Sequence, residues 1–232
     1  EGTISLGGSG GSGGSSGTVT LRNEGNILTF GSSSIPVYLN SVGGGGGDAQ
    51  AGFGDAILGS NGATGASGRT FLINTGTLQS NSEFSPAILH QAIGGGGGSV
   101  ASAKGTIKVG SRNATGLQNA QSMTLRNEGS LTTLARYSPA IFAQSIGGGG
   151  GRIAQTSGGS VTIGSVNAAS TADLSGGNID INNFGARLAT QGDYSQAFAA
   201  QSIGGGGGWV GPSQGNLILG AQAGSAPMDA GS

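Results

Sequence analysis

The sequence AQSIGGGGG, from Ala143 to Gly151, sets the main constraint on the fold. Ordering one backbone residue costs roughly 1–2 kcal/mol, and glycine loses the most conformational entropy on folding. The five-glycine tract nevertheless occurs four times, beginning at Gly43, Gly94, Gly147 and Gly204. Its starting positions are 51, 53 and 57 residues apart. Recurrence at a nearly constant interval indicates a repeat architecture.

Two further motifs recur in phase with the tracts. The segments directly before them are SIPVYLNSV, SPAILHQAI, SPAIFAQSI and SQAFAAQSI. An asparagine, followed two residues later by glycine, precedes each tract by 20 or 21 residues, at Asn23, Asn74, Asn127 and Asn183. From a tract to the next such asparagine the distance varies, at 31, 33 and 36 residues. Constant blocks alternating with variable ones favour a solenoid, because stacked strands must stay in register whereas loops need not.

The pattern predicts one continuous β-solenoid over residues 1–232. Its repeats are expected at about 1–47, 48–98, 99–151 and 152–208, with a fifth beginning at 209–232. The segment Gly7–Gly17, GGSGGSGGSSG, occupies the position of a loop in later repeats and is interpreted as a native loop. Because the chain begins in mid-pattern, we expect it to be a fragment of a longer protein.

Apolar residues occur in short runs enriched in β-branched side chains and bounded by Gly, Ser and Asn, which is typical of strands. Helices are disfavoured because a glycine inside a helix costs about 1 kcal/mol relative to alanine. The favoured fold is all-β, a right-handed parallel β-helix with about two coils per repeat and Gly-rich loops. The alternative is one wide coil per repeat.

The composition excludes several classes of protein. The chain has 53 glycines, 8% charged residues, a net charge of −1 and no cysteine. Near-neutral charge argues against nucleic acid or an anionic membrane as partner. Without cysteine there are no disulfides and no thiolate metal sites. No apolar run reaches the roughly 18 residues that a membrane-spanning helix needs.

The recurrent asparagine has two interpretations. The favoured one is a turn residue that tolerates left-handed backbone next to a glycine. The other is an amide ladder, in which each side chain bonds its counterpart along the solenoid. A ladder requires repeats that stack directly on one another, and two coils per repeat would prevent this.

The strand before each tract is apolar on both faces, as in Ile141–Ile146. A half-exposed strand alternates apolar with polar residues, so this one is expected to be covered on both sides. The second cover would be either the chain's own Gly-rich segment or a neighbouring molecule. The residues of this packing or assembly face are Tyr38, Leu89, Phe142, Ile146 and Ile203. The glycines themselves are then either packed against the strand or a slack surface loop.

Residues with catalytic or ligand-binding chemistry are scattered. The only histidine, His90, shares its position with Ala143, Ala200 and, if shifted by one, Asn40, so it is interpreted as a tolerated substitution. The carboxylates considered for catalysis are Glu24, Glu83, Glu128, Asp173, Asp180 and Asp193. The sequence lacks the Gly-Gly-x-Gly-x-Asp calcium repeat and a phosphate-binding loop. We therefore expect no catalytic, cofactor or metal site.

SPAIFAQSIGGGGG, following TLRNEGSLTT, resembles the passenger repeats of large bacterial autotransporters, the type V secretion systems. Those repeats carry Asn-x-Gly, then Ser-x-(Ala/Gly)-Ile, then AQSIGGGGG. The resemblance covers all four repeats and is strongest at residues 124–151. The first repeat departs from it, with Pro36 in place of Ala and Asn40-Ser41-Val42 in place of Gln-Ser-Ile. The resemblance implies an extracellular, surface-displayed β-helical stalk, attached to the outer membrane by a barrel that this chain does not contain.

Together these features predict a structural or adhesive stalk, either an adhesin or an extracellular fibre, without enzyme activity. Its expected partners are other copies of itself, through the apolar strands and pentaglycine tracts, or the surface of a host or neighbouring cell. The alternative is a β-helical enzyme acting on polysaccharide, or a passenger scaffold. Such enzymes assemble carboxylate pairs from separate strands.

Overall fold

The computed structural model describes residues 4–6, 13–52, 54–59, 61–62, 65–113, 115–167, 173–184 and 187–220. Within these ranges the chain forms 21 β-strands and no helix. The strands form five parallel sheets, and each coil contributes one strand to every sheet. This confirms the predicted parallel β-solenoid. None of the described residues belongs to a helix long and apolar enough to cross a membrane.

The sheets are numbered I to V in the order in which a coil visits them. Sheet I contains β1 (Ile4–Leu6), β6 (Ala56–Leu58), β11 (Ile107–Val109), β16 (Ser160–Ile163) and β21 (Asn216–Leu219). Sheet II contains β2 (Val19–Asn23), β7 (Thr70–Asn74), β12 (Met123–Asn127) and β17 (Ile179–Asn183). Sheet III contains β3 (Ile27–Thr29), β8 (Leu78–Ser80), β13 (Leu131–Thr133) and β18 (Leu188–Thr190).

Sheets IV and V flank the glycine tracts. Sheet IV contains β4 (Val37–Val42), β9 (Ile88–Ile93), β14 (Ile141–Ile146) and β19 (Phe198–Ile203). Sheet V contains β5 (Gly46–Gly52), β10 (Gly97–Ala103), β15 (Gly150–Thr156) and β20 (Gly207–Val210). Each tract turns the chain from a strand of sheet IV into a strand of sheet V.

Each repeat forms one wide coil, so the prediction of two coils per repeat is wrong and the alternative is right. Asn74 lies opposite both Asn23 and Asn127, and Gly97 lies opposite both Gly46 and Gly150. Residues one full repeat apart are therefore direct neighbours along the solenoid. The right-handed sense of the coil stays a prediction.

Among the described residues, the wide coil encloses two large hydrophobic cores and a smaller cluster formed by Ala92, Met123 and Ala143. The first core joins sheets II, III and IV and includes Leu72, Leu125, Leu131 and Ile141. The second joins sheets I and V. It contains Leu58, Val100, Ile107, Ile153 and Ile163, among others.

Sheet IV is the inner wall of the coil. Every residue of β9 and β14 is buried, whereas β12 alternates between buried and more exposed positions. One face of sheet IV contacts the first core, and sheet V folds back over the other face after the glycine turn. The expected two-sided burial is thus confirmed, and the cover on these strands is the chain itself.

Candidate functional surface and axial ladders

The recurrent asparagines form a ladder along the solenoid. The side-chain amide nitrogens of Asn23, Asn74 and Asn127 each donate to the Oδ1 of the next asparagine at 2.7 Å, ending at Asn183. Each of these three nitrogens also donates to the carbonyl of the glycine two residues later, at 2.9–3.0 Å. The corresponding Gly185 lies outside the described residues.

The favoured interpretation of these asparagines was therefore wrong about the backbone. They end the strands of sheet II, and none of them has a positive φ. The ladder forms because the single coil per repeat places the side chains directly above one another. The same amides also stabilise the turn that follows, because the second hydrogen of each one reaches the glycine carbonyl.

A second amide ladder runs along sheet IV. Gln91 donates to Gln144, and Gln144 donates to Gln201, at 2.7 Å in both pairs. Gln91 and Gln144 are fully buried, so each unmade hydrogen bond there would cost free energy. Sequence reasoning missed this ladder, although glutamine recurs at the same position of three repeats.

The pentaglycine tracts are ordered turns with one shared conformation. In the third tract, Gly148 and Gly149 have φ of 81° and 83°, and Gly150 and Gly151 have 151° and 144°. The other three tracts repeat these values within about 15°. Side chains rarely adopt such positive φ, so glycine is required by the backbone alone. The alternative of a slack surface loop is wrong.

Neighbouring tracts also approach too closely for side chains. A Cβ on Gly150 would lie 1.9 Å from the carbonyl oxygen of Gly207, and one on Gly147 would lie 2.1 Å from that of Ser175. Backbone hydrogen bonds of 2.6 Å join the tracts, for example from Gly149 N to Gly94 O. We call this stack of turns the glycine seam. It begins at Gly43, Gly94, Gly147 and Gly204.

The first loop contacts both the glycine seam and the loop of the next coil. Gly44 N, in the seam, donates to Gly14 O at 3.1 Å. Gly68 N, in the next loop, donates to the hydroxyl of Ser16 at 2.9 Å. Residues 13–17 thus occupy the position that the corresponding loop fills in the next coil, as expected for a native loop. The earlier part of that segment, residues 7–12, lies outside the described residues.

The predicted packing or assembly face is an internal surface in the middle coils. Leu89, Phe142 and Ile146 are at most 2% exposed. The ring of Phe142 meets that of Trp209, from sheet V, edge to face at 5.8 Å. In the outer coils, Tyr38 and Ile203 are half-buried. The centre of this face is therefore covered by sheet V and not by a neighbouring molecule.

A buried arginine crosses the interface between sheets IV and V. Arg152 is 1% exposed, and its Nη2 donates to the carbonyl of Phe84 at 2.5 Å. Its guanidinium carbon lies 5.4 Å from the ring centroid of Trp209. Burial lowers the pKa of Arg152 to about 10. Sequence reasoning missed this residue because its position holds a different type in every repeat.

Tyr38 lies beside that arginine at the start of the same interface. Its hydroxyl is 2.7 Å from Oδ1 of Asp48 and accepts a hydrogen bond from Asn40. Burial, and then the charge of Asp48, raise the pKa of Tyr38 well above its ordinary value. The tyrosine therefore stays neutral at physiological pH. Its hydroxyl also lies 3.0 Å from Oε1 of Gln91, so it links the carboxylate of Asp48 to the glutamine ladder.

An aromatic column follows the turn between sheets III and IV. The rings of Phe84, Tyr137 and Tyr194 stack almost parallel, with centroids 5.2 and 4.9 Å apart. All three residues have φ of 55–57°, a backbone conformation that is unusual for bulky side chains. The guanidinium of Arg136 lies 5.3 Å from the centroid of Tyr137. The signal in the sequence is an aromatic residue followed by serine before the last three strands of sheet IV, whereas Ser33 takes the same position and the same positive φ in the first repeat.

His90 is a buried structural residue. It is fully buried, its Nε2 lies 2.7 Å from the hydroxyl of Thr70, and burial lowers its pKa to about 4. Its neighbours in register are Leu39 and Ala143, so the shifted alignment with Asn40 is wrong.

The candidate carboxylates do not converge. Glu24 pairs with Arg22, Glu128 with Arg126, and Asp193 lies 3.9 Å from Arg136, all at the surface. In the described part of the chain, no three His, Cys, Asp or Glu side chains are grouped as a metal site would require.

Comparison with models of known protein families, with curated proteins and with solved structures gives no match to this chain.

Proposed function

We propose that this chain is the repeat region of a structural or adhesive stalk on the surface of a bacterium. The observation that carries the proposal is the direct stacking of equivalent residues from one repeat to the next, in all five sheets. Each repeat adds one coil, and neighbouring parallel strands are about 4.8 Å apart. The number of repeats therefore sets the length of the rod without changing its cross-section.

The axial ladders give this rod cohesion along its length. The Asn and Gln side chains and the glycine seam all bond from coil to coil. Such nearest-neighbour contacts make the stability of a solenoid nearly a sum over its coils. A stalk that must hold a binding surface away from a cell needs this kind of uniform stability.

The outer face of the rod presents the same charged pair in more than one coil. The exposed pairs Arg22–Glu24 and Arg126–Glu128 occupy the same position in the first and third coils, whereas the second coil has Ile73 and Thr75 there. Repeated weak contacts produce strong attachment when several act at once. Contacts between copies would involve such outer residues, because the chain itself covers β9 and β14.

The extracellular location and the anchor in an outer membrane rest on the resemblance of the AQSIGGGGG repeats to autotransporter passengers. Partners of such a stalk would be other copies of it or the surface of a host or neighbouring cell. The sequence alternative, a polysaccharide-cleaving enzyme, would need a carboxylate pair flanking one cleft. Within the part of the chain that the structure describes, no specific contact favours that second function.

The test compares rods of different length. Chains with four, eight and sixteen coils, made by repeating residues 99–151, should lengthen by about 4.8 Å per coil in small-angle scattering. Beads coated with them should attach to bacterial cells or to one another more strongly as the coil number rises. Release of sugar from a polysaccharide by the purified chain, or attachment no stronger than with a non-repetitive protein, would overturn the proposal.

A further inference from the structure

A furrow runs beside sheet I along the axis of the solenoid. Four strands of this sheet, β6, β11, β16 and β21, are each followed by a glycine, at Gly59, Gly110, Gly164 and Gly220, with φ between 103° and 130°. A Cβ on Gly59 would lie 2.2 Å from the carbonyl oxygen of Gly110, and one on Gly110 would lie 2.4 Å from that of Gly164. The column can carry no side chains, so it forms the floor of the furrow.

The furrow widens into a groove of about 360 Å³ at the second and third of these glycines. The outward side chains of sheet I form one wall, with Lys108 and Thr162. Arg112 and Val166, which pair across neighbouring coils, form the other. This volume lies at the lower end of the range for small-ligand sites.

The groove is positively charged. The whole chain has nine lysines and arginines, and two of them, Lys108 and Arg112, line this one groove without a carboxylate beside them. Both are half-buried, and neither forms an ion pair within the described residues. The Nη2 of Arg112 is buried and has no protein acceptor among the described residues. A ligand could reach it only if the side chain turned toward the groove, so the two positive charges, and not this atom by itself, make the site suited to an anion.

We propose that this groove binds an acidic sugar unit of an anionic polysaccharide, with a uronate carboxylate at Arg112 and Lys108. A guanidinium and a carboxylate form paired, charge-assisted hydrogen bonds, and the lysine adds a second positive charge. Thr162 offers a hydroxyl to the sugar, and Val166 offers an apolar contact to its ring. This inference rests on the proposed function, because it names what the stalk adheres to.

A polysaccharide fits the furrow better than an acidic peptide does. Peptides commonly bind by adding a strand to a free sheet edge, which requires unpaired backbone groups. Here the backbone N–H groups of Gly110, Gly164 and Gly220 already donate to the preceding coil, at 2.8–2.9 Å. The glycine column also extends one coil beyond the groove on either side, at Gly59 and Gly220, so a linear polymer would meet no side chain at those positions.

The experiment is calorimetric titration of the 232-residue chain at low ionic strength. The probes are galacturonate oligomers, neutral dextran, dextran sulfate and poly-glutamate. The decisive variant is the double substitution Lys108→Gln with Arg112→Gln. The matched control is Lys104→Gln, which removes one charge from the same coil at a neighbouring hollow that also contains Asp55. Circular dichroism checks that every variant keeps its strands.

We expect the galacturonate oligomers to bind, the double variant to bind them at least tenfold more weakly, and Lys104→Gln to stay within twofold. Arg112→Lys keeps the charge but loses the paired geometry. Its affinity for the galacturonate oligomers should therefore lie between that of the wild type and that of the double variant. Added salt should weaken binding, because the lysine and arginine are partly exposed. If dextran sulfate binds the wild type and the double variant does not bind it, the same groove accepts sulfate as well as carboxylate groups. That result would also support the inference.

Equal binding of dextran, unchanged affinity of the double variant, or tighter binding of poly-glutamate than of galacturonate would overturn the inference. The stalk function fails by a different result. If the rods do not attach to any surface while the wild-type groove still binds galacturonate, the proposed function falls and the groove remains. If the rods attach to a surface but galacturonate does not bind, the groove inference falls and the proposed stalk function remains.

Discussion

The side-chain amide of Asn74 donates to Oδ1 of Asn127 at 2.7 Å, although the two residues are 53 positions apart in the sequence. Both side chains are fully buried. Each one also bonds to the glycine carbonyl two residues on, so every amide hydrogen in the middle of the ladder has an acceptor. The ladder therefore connects coils to one another and fixes the exit of each sheet II strand.

Replacing Asn127 by alanine should destabilise the chain by about 1–3 kcal/mol, because it leaves the partners of a buried amide unsatisfied. Thermal unfolding measures the effect. The control is Asn23→Ala, at the half-buried end of the ladder, where only one ladder bond is lost. An equally small effect at both positions would contradict a role for the ladder in stability.

Replacing Gly149 by valine should cost at least about 3 kcal/mol, since strained backbone and overpacking each contribute. Gly149 has a φ of 83°, and a Cβ there would lie 2.7 Å from the Cα of Gly110. Gly14→Val is the matched control, because a Cβ at Gly14 meets nothing within 4 Å. Thermal unfolding of both variants checks this. Equal tolerance of valine at the two sites would show that the seam is slack.

Replacing Phe142 by alanine should destabilise the chain by about 3–5 kcal/mol without changing its state of association. The ring is 2% exposed and lies between sheets IV and V, so the loss is an internal cavity. Phe198→Ala, where the ring is 44% exposed, should cost clearly less. Denaturant unfolding and sedimentation give the two measurements. A stable variant that dissociates from an oligomer would show that this face is an intermolecular contact.

Stability should decrease on acidification from pH 6.5 to pH 4 because of His90. Its folded pKa is about 4 and its ordinary value is 6.5, so in that range the unfolded chain binds a proton that the folded chain does not. The stabilisation is complete above pH 6.5 and declines by roughly 3 kcal/mol as the pH falls to 4.

His90→Leu isolates this effect, because Leu39 already occupies the same position in the preceding coil. The unfolding free energy of this variant should change little between pH 6.5 and 4.5, in contrast to the wild type. Parallel pH profiles of the two proteins would mean that His90 does not account for the acid sensitivity.

Much of the fold could be predicted because its pattern is local. Runs of β-branched residues bounded by Gly and Ser indicate strands, and constant spacing within each repeat indicates that the strands stack. The two apolar faces of Ile141–Ile146 likewise predict burial on both sides, since a strand exposed on one side would alternate.

The period of a repeat, by contrast, does not say how many turns the chain makes within it. The number of coils depends on how sheet V folds back over sheet IV, a contact between segments whose own sequences are compatible with either arrangement. The number of coils also decides whether the ladder through Asn127 can form. Two coils per repeat would separate the asparagines, whereas one coil per repeat makes residues a full repeat apart direct neighbours.

Local sequence patterns are enough to predict the strands, the phase of the repeats and the recurrent glycine positions. The single wide coil, the burial of Arg152 against Trp209 and the groove at Lys108 and Arg112 follow only from the three-dimensional packing. The physical reason is that strand formation follows from local backbone and side-chain preferences. Ladders, buried charges and grooves depend instead on contacts between residues from different sheets or from neighbouring coils, whose spacing the packing of the coil sets.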